Sequence, residues 1–203
     1  MPENHPQQAK TRNLSRSASE RRARVIDAFI DLALEEGRPP TTAEVGKRAC
    51  VSMATLFRYF ETLDDLRRGA ATRLFQRFPH LYGVTNIGEG TLEDRIARFA
   101  ATRVELWETT HPLALQVRAH SRRDRGASEL VDMARTAMAN LIRQHFDAEL
   151  RGMTRTRRED AVASIAVLTS VESWEQFRHV HDRSPLQIRR AWTRSIDRIL
   201  DDA

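Results

Sequence analysis

Residues 41–60 read TTAEVGKRACVSMATLFRYF, and the fold turns on them. Thr41-Thr42 offers an N-cap, and Glu44 and Val45 begin a short helix that ends near Ala49. Cys50-Val51 is a tight connection, after which Ser52 caps a second helix, Met53 to Phe60. Val45, Ala49, Val51, Leu56 and Tyr59 fall where two such helices meet, and Gly46 supplies a small residue midway along the first. A glycine there costs up to ~1 kcal/mol of helix stability, so close packing against the second helix is a good reason for it. The opposite face of the second helix carries Ser52, Met53, Thr55, Phe57 and Arg58. These are the short polar, methyl-bearing and arginine side chains that read groove edges. The pattern is a helix-turn-helix, with an ordinary helical hairpin as the alternative.

On the N-terminal side, Val25, Ile26, Phe29, Leu32 and Ala33 form one apolar stripe of a helix from about Glu20 to Glu36, stopped by Gly37 and Pro39-Pro40. On the C-terminal side, Thr62 caps a fourth helix that ends by Phe78, and residues 80–90 read as a loop. Thr91 starts a long helix that His111-Pro112 should break, followed by a shorter one over about 113–121. SRRDRGAS reads as a turn, Ser128 opens a helix to about Leu150 with Leu130, Ala134, Ala137, Leu141 and Phe146 on its apolar face, and Thr156 to His181 reads as one helix. Ser184-Pro185 begins the last, with Ile188, Trp192, Ile196 and Ile199 at helical spacing. The expectation is an all-α chain of about nine helices.

Of its 203 residues, 40% are apolar and 30% charged, with eight glycines and seven prolines, which excludes collagen-like and wholly disordered classes. No apolar run is long enough to span a membrane and no secretory h-region is visible, and the single Cys50 suits a reducing cytoplasm, so a cytoplasmic location is expected. Net charge is +5 and the pI about 10.2. Only Lys10 and Lys47 among the 33 basic residues are lysines, an arginine excess that coding composition explains as well as nucleic acid does. Placement says more: residues 1–24 are strongly basic, so residues 1–19 read either as a flexible arm that reaches phosphates or as a solvated tail. P-loop, HExxH and GxSxG motifs are missing, GVTNIGEG lacks the setting of a dinucleotide fingerprint, and His179 and His181 point in different directions on a helix. No enzyme, cofactor or metal site is expected.

RVIDAFIDLALEEGRPPTTAEVGKRACVSMATLFRYFETLDDL resembles the N-terminal domain of the tetracycline-repressor (TetR) family of transcriptional regulators, from Val25 to Leu66. The resemblance implies a helix-turn-helix DNA-binding domain over 20–66 and a helical effector-binding and dimerisation domain over 67–203. It assigns Thr42 to a phosphate contact, and Ser52, Met53, Ala54, Thr55 and Arg58 to bases or the adjacent backbone. Phe57 and Tyr59 fall at phosphate and sugar contacts. Three positions depart from the family pattern: Phe57 stands for a usual tyrosine, Leu63 for a phosphate-binding lysine, and Cys50 for the turn glycine. Cys50 is read as a buried inert thiol, with a redox switch as the alternative.

Trp107, His111, Leu115, Met138 and Trp174 lie on helices similar to those that line the family's effector cavity, or are plain core. SVESWEQFRHVH and SPLQIRRAWTRSIDRILDD look like the family's two dimerisation helices, which puts Trp174, Phe177, Ile188, Trp192 and Ile199 at a homodimer interface or in the monomer core. The function implied is a repressor of double-stranded operator DNA, released by a small-molecule effector, without membrane association. A ligand-independent DNA-organising protein of the same fold is the alternative.

Overall fold

The computed structural model describes residues 6–201, with side chains from residue 17 onward. Among the described residues the chain is all-α, with eleven α-helices, one π-helical turn and no strand. It divides into two compact units, Met1–Leu74 and Phe75–Ala203.

The first unit holds α1 (Pro6–Glu36), α2 (Thr42–Ala49), α3 (Met53–Tyr59) and the greater part of α4 (Leu63–Arg77). Helix α1 begins well before the expected Glu20, so the arm expected over 1–19 is helical from Pro6, and residues 1–5 lie outside the described residues. Val25, Ile26, Phe29, Leu32 and Ala33 are all buried, with Val45, Leu56, Phe60, Leu66 and Ala70. Helix α1 ends where Gly37 takes φ +64°, a left-handed conformation that glycine adopts without steric penalty. Arg73 holds α4 to α1 through a two-pronged pairing with Asp27, Nε to Oδ1 at 3.0 Å and Nη2 to Oδ2 at 3.3 Å.

In the second unit, α5 (Pro79–Tyr82) occupies part of the expected loop, because a proline that ends one helix is also well suited to the first position of the next. Helix α6 (Leu92–His120) starts at Thr91, whose side chain forms a capping box with Asp94. It runs unbroken through Pro112, contrary to the break expected there. Pro112 is buried, and donors in the turn before it reach carbonyls of the same helix: Thr110 Oγ1 to Leu106 at 2.7 Å, and His111 Nδ1 on Trp107 at 3.0 Å. Burial of the proline in the packed helix outweighs the one lost backbone bond.

Asp124 caps α7 (Arg125–His145), earlier than the expected Ser128, and a short α8 (Asp147–Arg151) follows. Ala134 and Ala137 are exposed, so the apolar face of α7 is narrower than the spacing suggests. The single helix expected over 156–181 is three elements: α9 (Arg155–Leu168), α10 (Val171–Glu175) and a π-helical turn, Gln176–Val180. The break has a local cause, since Ser170 caps α10 by accepting from the Ser173 amide at 3.2 Å. Helix α11 (Pro185–Asp201) closes the chain. One core cluster gathers Phe99, Ile142, Phe146, Ile165 and Ile196, and a second gathers Ala100, Val104, Trp174, Ile188 and Trp192.

Candidate nucleic-acid interface

Helices α2 and α3 are each capped at the N-terminus. Thr41 caps α2: its hydroxyl accepts from the Glu44 amide at 3.3 Å, and the Glu44 carboxylate accepts from the Thr41 amide at 2.7 Å. Arg38 pairs with the same carboxylate, Nη2 to Oε1 at 2.7 Å, and these donors hold Glu44 down to about 2, the arginine being the largest cause. Ser52 caps α3 by accepting from the Thr55 amide at 3.2 Å, and the two hydroxyls are hydrogen-bonded to each other at 3.0 Å.

Between the two helices, Cys50 has φ 54°, the left-handed turn that its place in a glycine position demands, and its amide donates to the Gly46 and Lys47 carbonyls. The thiol is exposed, which corrects the expectation of a buried one. A Cβ on Gly46 would meet the Val51 carbonyl oxygen at 3.1 Å, so this glycine admits the turn itself rather than a side chain of α3. Leu56 and Phe60 turn inward, each 1% exposed, while Met53 at 40% and Phe57 at 46% face solvent.

Ser52, Ala54 and Arg58 are exposed as well, Thr42, Thr55 and Tyr59 half-buried. Arg58 lies with its guanidinium carbon 5.5 Å from the centre of the Tyr59 ring. Of the expected contact residues of α3, Met53, Ala54, Phe57 and Arg58 thus share an accessible side, Thr55 and Tyr59 are set further back, and Thr42 is at the first position of α2.

Charge around this face is partly committed. Arg48 pairs with Glu35, Nη2 to Oε2 at 2.7 Å, and Arg38 pairs with Glu36 as well as Glu44. Arg22 stacks on Phe60, 4.8 Å from the ring centre, while Arg21 and Arg24 are exposed on α1. The side chains of Arg12 and Arg16, in the segment read as a phosphate-reaching arm or a solvated tail, lie outside the described residues. Leu63, where the family pattern has a lysine, is half-buried at the start of α4.

The residues expected to line an effector cavity are only partly together. His111 packs its ring on Trp174 at 4.5 Å between centroids, and Trp107 donates its indole N–H to the Thr169 carbonyl at 2.8 Å. Leu115 follows one turn beyond His111 and is half-buried. Met138 is not among them: it packs on the cluster around Phe99 and Phe146.

The expected interface residues Trp174, Ile188 and Trp192 are 1%, 0% and 0% exposed, so they fill the chain's own core rather than its surface. Of the five, Phe177 and Ile199 keep some exposure. Two further residues join this region unexpectedly, Arg103 beside Trp107 and Tyr82 beside Thr110. The signal for Arg103 is present in the spacing, since it shares the buried stripe of Phe99, Leu106 and Thr110, whereas Tyr82 sits on the short α5 with no such pattern.

Among solved structures, the chain is similar to a TetR-family transcriptional regulator from Streptomyces coelicolor, with TM-score 0.73 and 19% identity over 89% of this chain and 80% of that one. It is also similar to a transcriptional regulator from a Rhodococcus species, with TM-score 0.68 and 18% identity over 90% of this chain and 97% of that one. A third similar structure is the multidrug-binding protein EbrR complexed with imidazole, with TM-score 0.57 and 18% identity over 89% and 94% of the two chains. No protein-family model and no curated protein matches the sequence. At these identities the likeness establishes the fold, which is that of TetR-family regulators.

Proposed function

We propose that the chain binds double-stranded DNA in a sequence-specific way through α3 and regulates transcription, as a repressor released from its operator by a small molecule. The observation that carries the reading is the accessible face of α3. On a helix of seven residues, Met53, Ala54, Phe57 and Arg58 all face solvent while Leu56 is buried. Two large apolar side chains left in water beside an arginine suit contacts to thymine methyl groups and guanine edges. The reading helix is pinned by the caps and by the turn at Cys50, so little ordering remains to be done on binding.

A homodimer would set two copies of α3 on half-sites about one helical turn, ~34–36 Å, or more apart. Because Ile188 and Trp192 are internal, the surface proposed for the second copy is the outer side of α9, where Ala163, Ser164 and Val167 are exposed, together with the outer side of α11. An effector that binds the second unit would act by favouring a dimer whose two reading helices no longer fit one face of the duplex.

Selection of bound duplexes from a random library tests the reading. A two-fold symmetric motif should emerge, and a dimer mass should be found by light scattering. Recovery of sequences without any shared motif would rule out sequence-specific binding.

A further inference from the structure

Arg103 is 4% exposed and lies inside the second unit. Its Nη2 donates to the Thr169 carbonyl at 3.3 Å, and its guanidinium carbon stands 4.6 Å from the centre of the Trp107 ring. Its Nε has no hydrogen-bond partner among the described residues. The titratable group that faces it is the phenol of Tyr82, not a carboxylate. The second buried arginine of this unit is treated differently: Arg95, 6% exposed, is paired with Glu149 and also donates to the Gly88 carbonyl at 3.3 Å. A buried cation without a counter-ion is costly, and leaving it so calls for a compensating role.

We propose that Arg103 anchors an anion site among α5, α6 and the junction of α9 with α10, and that its ligand is an organic monocarboxylate. That this ligand is the effector rests on the regulator reading above; the site itself does not. The chemistry follows from the atoms left over. Nε and Nη2 form the side-on edge of a guanidinium, whose spacing matches the two oxygens of a carboxylate, and this edge is only partly used by Thr169.

The surroundings select against a heavily hydrated dianion. The groups around the guanidinium are aromatic, with the Trp107 ring 4.6 Å away, the Tyr82 phenol facing it and Phe75 packed on Tyr82 at 4.2 Å, so the ligand proposed has an apolar body. Burial pushes the guanidinium down to about 9 and the Tyr82 phenol up to about 12, so the arginine keeps its charge at neutral pH in a site that has lost most of its water.

The test uses the full chain with benzoate and octanoate as probes, benzamide and octanamide as neutral controls, and thermal melting as the readout. A saturating carboxylate should raise the melting temperature by about 3 °C or more, and the amides should not. Arg103→Met should melt higher than the parent without ligand, since an apolar side chain replaces an unpaired buried charge, and should lose the carboxylate response. Arg103→Lys keeps the charge without the fork and should weaken carboxylate binding about tenfold or more.

The proposal is overturned if neither carboxylate shifts the melt, if the amides act equally, or if the shift survives Arg103→Met. A lower ligand-free melting temperature for Arg103→Met also overturns it, since the guanidinium is then a structural strut. Carboxylate binding that leaves affinity for a selected duplex unchanged keeps the site and removes the effector reading instead.

Discussion

The indole N–H of Trp107 and the guanidinium of Arg103 converge on one acceptor, the carbonyl of Thr169, at 2.8 and 3.3 Å. That carbonyl belongs to the residue after α9, where the helix no longer supplies a partner. Trp107→Phe keeps an aromatic face for Arg103 and removes the shorter of the two bonds. We expect a loss of about 0.5–1.5 kcal/mol, read as a lower urea midpoint with an unchanged slope. An unchanged midpoint would show that Arg103 alone satisfies the carbonyl.

The turn at Cys50 sets two substitutions against each other. Gly46→Ala gains helix propensity of ~1 kcal/mol but drives a Cβ to 3.1 Å from a backbone oxygen that the turn holds in place, and we expect net destabilisation. Cys50→Gly removes the penalty of an L-residue in the left-handed region, about 1 kcal/mol, against a smaller entropic cost, and should raise the melting temperature slightly. Parallel thermal melts check the opposite signs.

Arg58 and Leu63 should respond differently to duplex sequence. Arg58→Ala should cost ~1–3 kcal/mol on a selected duplex and relax preference at one base pair. Leu63→Lys places a cation at the start of α4, where it should tighten binding to selected and scrambled duplexes alike and steepen the salt dependence by about one unit. Binding isotherms at several salt concentrations separate the two. Equal weakening on both duplexes would make Arg58 a phosphate contact.

Acid should destabilise the second unit through His145. The ring is fully buried: its Nδ1 accepts from the Gly88 amide at 3.4 Å, and its Nε2 sits 3.0 Å from the Arg95 carbonyl. The first contact needs a lone pair and the second an N–H, so the neutral ring fits and the imidazolium does not. Burial, with Arg98 and Arg95 adding to it, holds the folded-state pKa below 6.5 against the opposing pull of the Arg95 carbonyl and Glu149.

The unfolded chain therefore binds more protons as pH falls below about 6.5, and the stability present above that value is lost on the way down to the folded-state pKa. His111 is shifted the same way, also chiefly by burial. His145→Gln can keep one acceptor and one donor without a titrating group. Urea midpoints between pH 7.5 and 5.5 should fall less in this variant than in the parent, and an equal fall would locate the effect elsewhere.

How much of this was legible depended on how local the cause was. The caps at Thr41, Ser52 and Thr91, the stop at Gly37 and the inward set of Val45, Ala49 and Leu56 arise within a few residues of chain, and spacing alone exposes them, whereas Val51 and Tyr59, expected inward too, are half-buried and Phe60 is buried beside them. Pro112 misleads because its local rule is overruled by burial that only the fold supplies. The break at Thr169-Ser170 sits in an apolar stretch, and one of its causes is a pair of donors more than sixty residues away. Trp192 and Ile188 illustrate a further limit. Helical spacing says that a side must be covered, but not whether the cover is the chain itself or a second copy.

Cys50 is the chain's one cysteine, and its thiol stands in solvent at the turn that leads into α3. A maleimide dye or a nitroxide spin label added to the native protein is thus directed to a single position, with no cysteine to introduce or remove. Spectral shifts from that probe would report whether α3 seats on a duplex as proposed, and distances between two such probes would measure the separation of the two α3 helices in the proposed dimer.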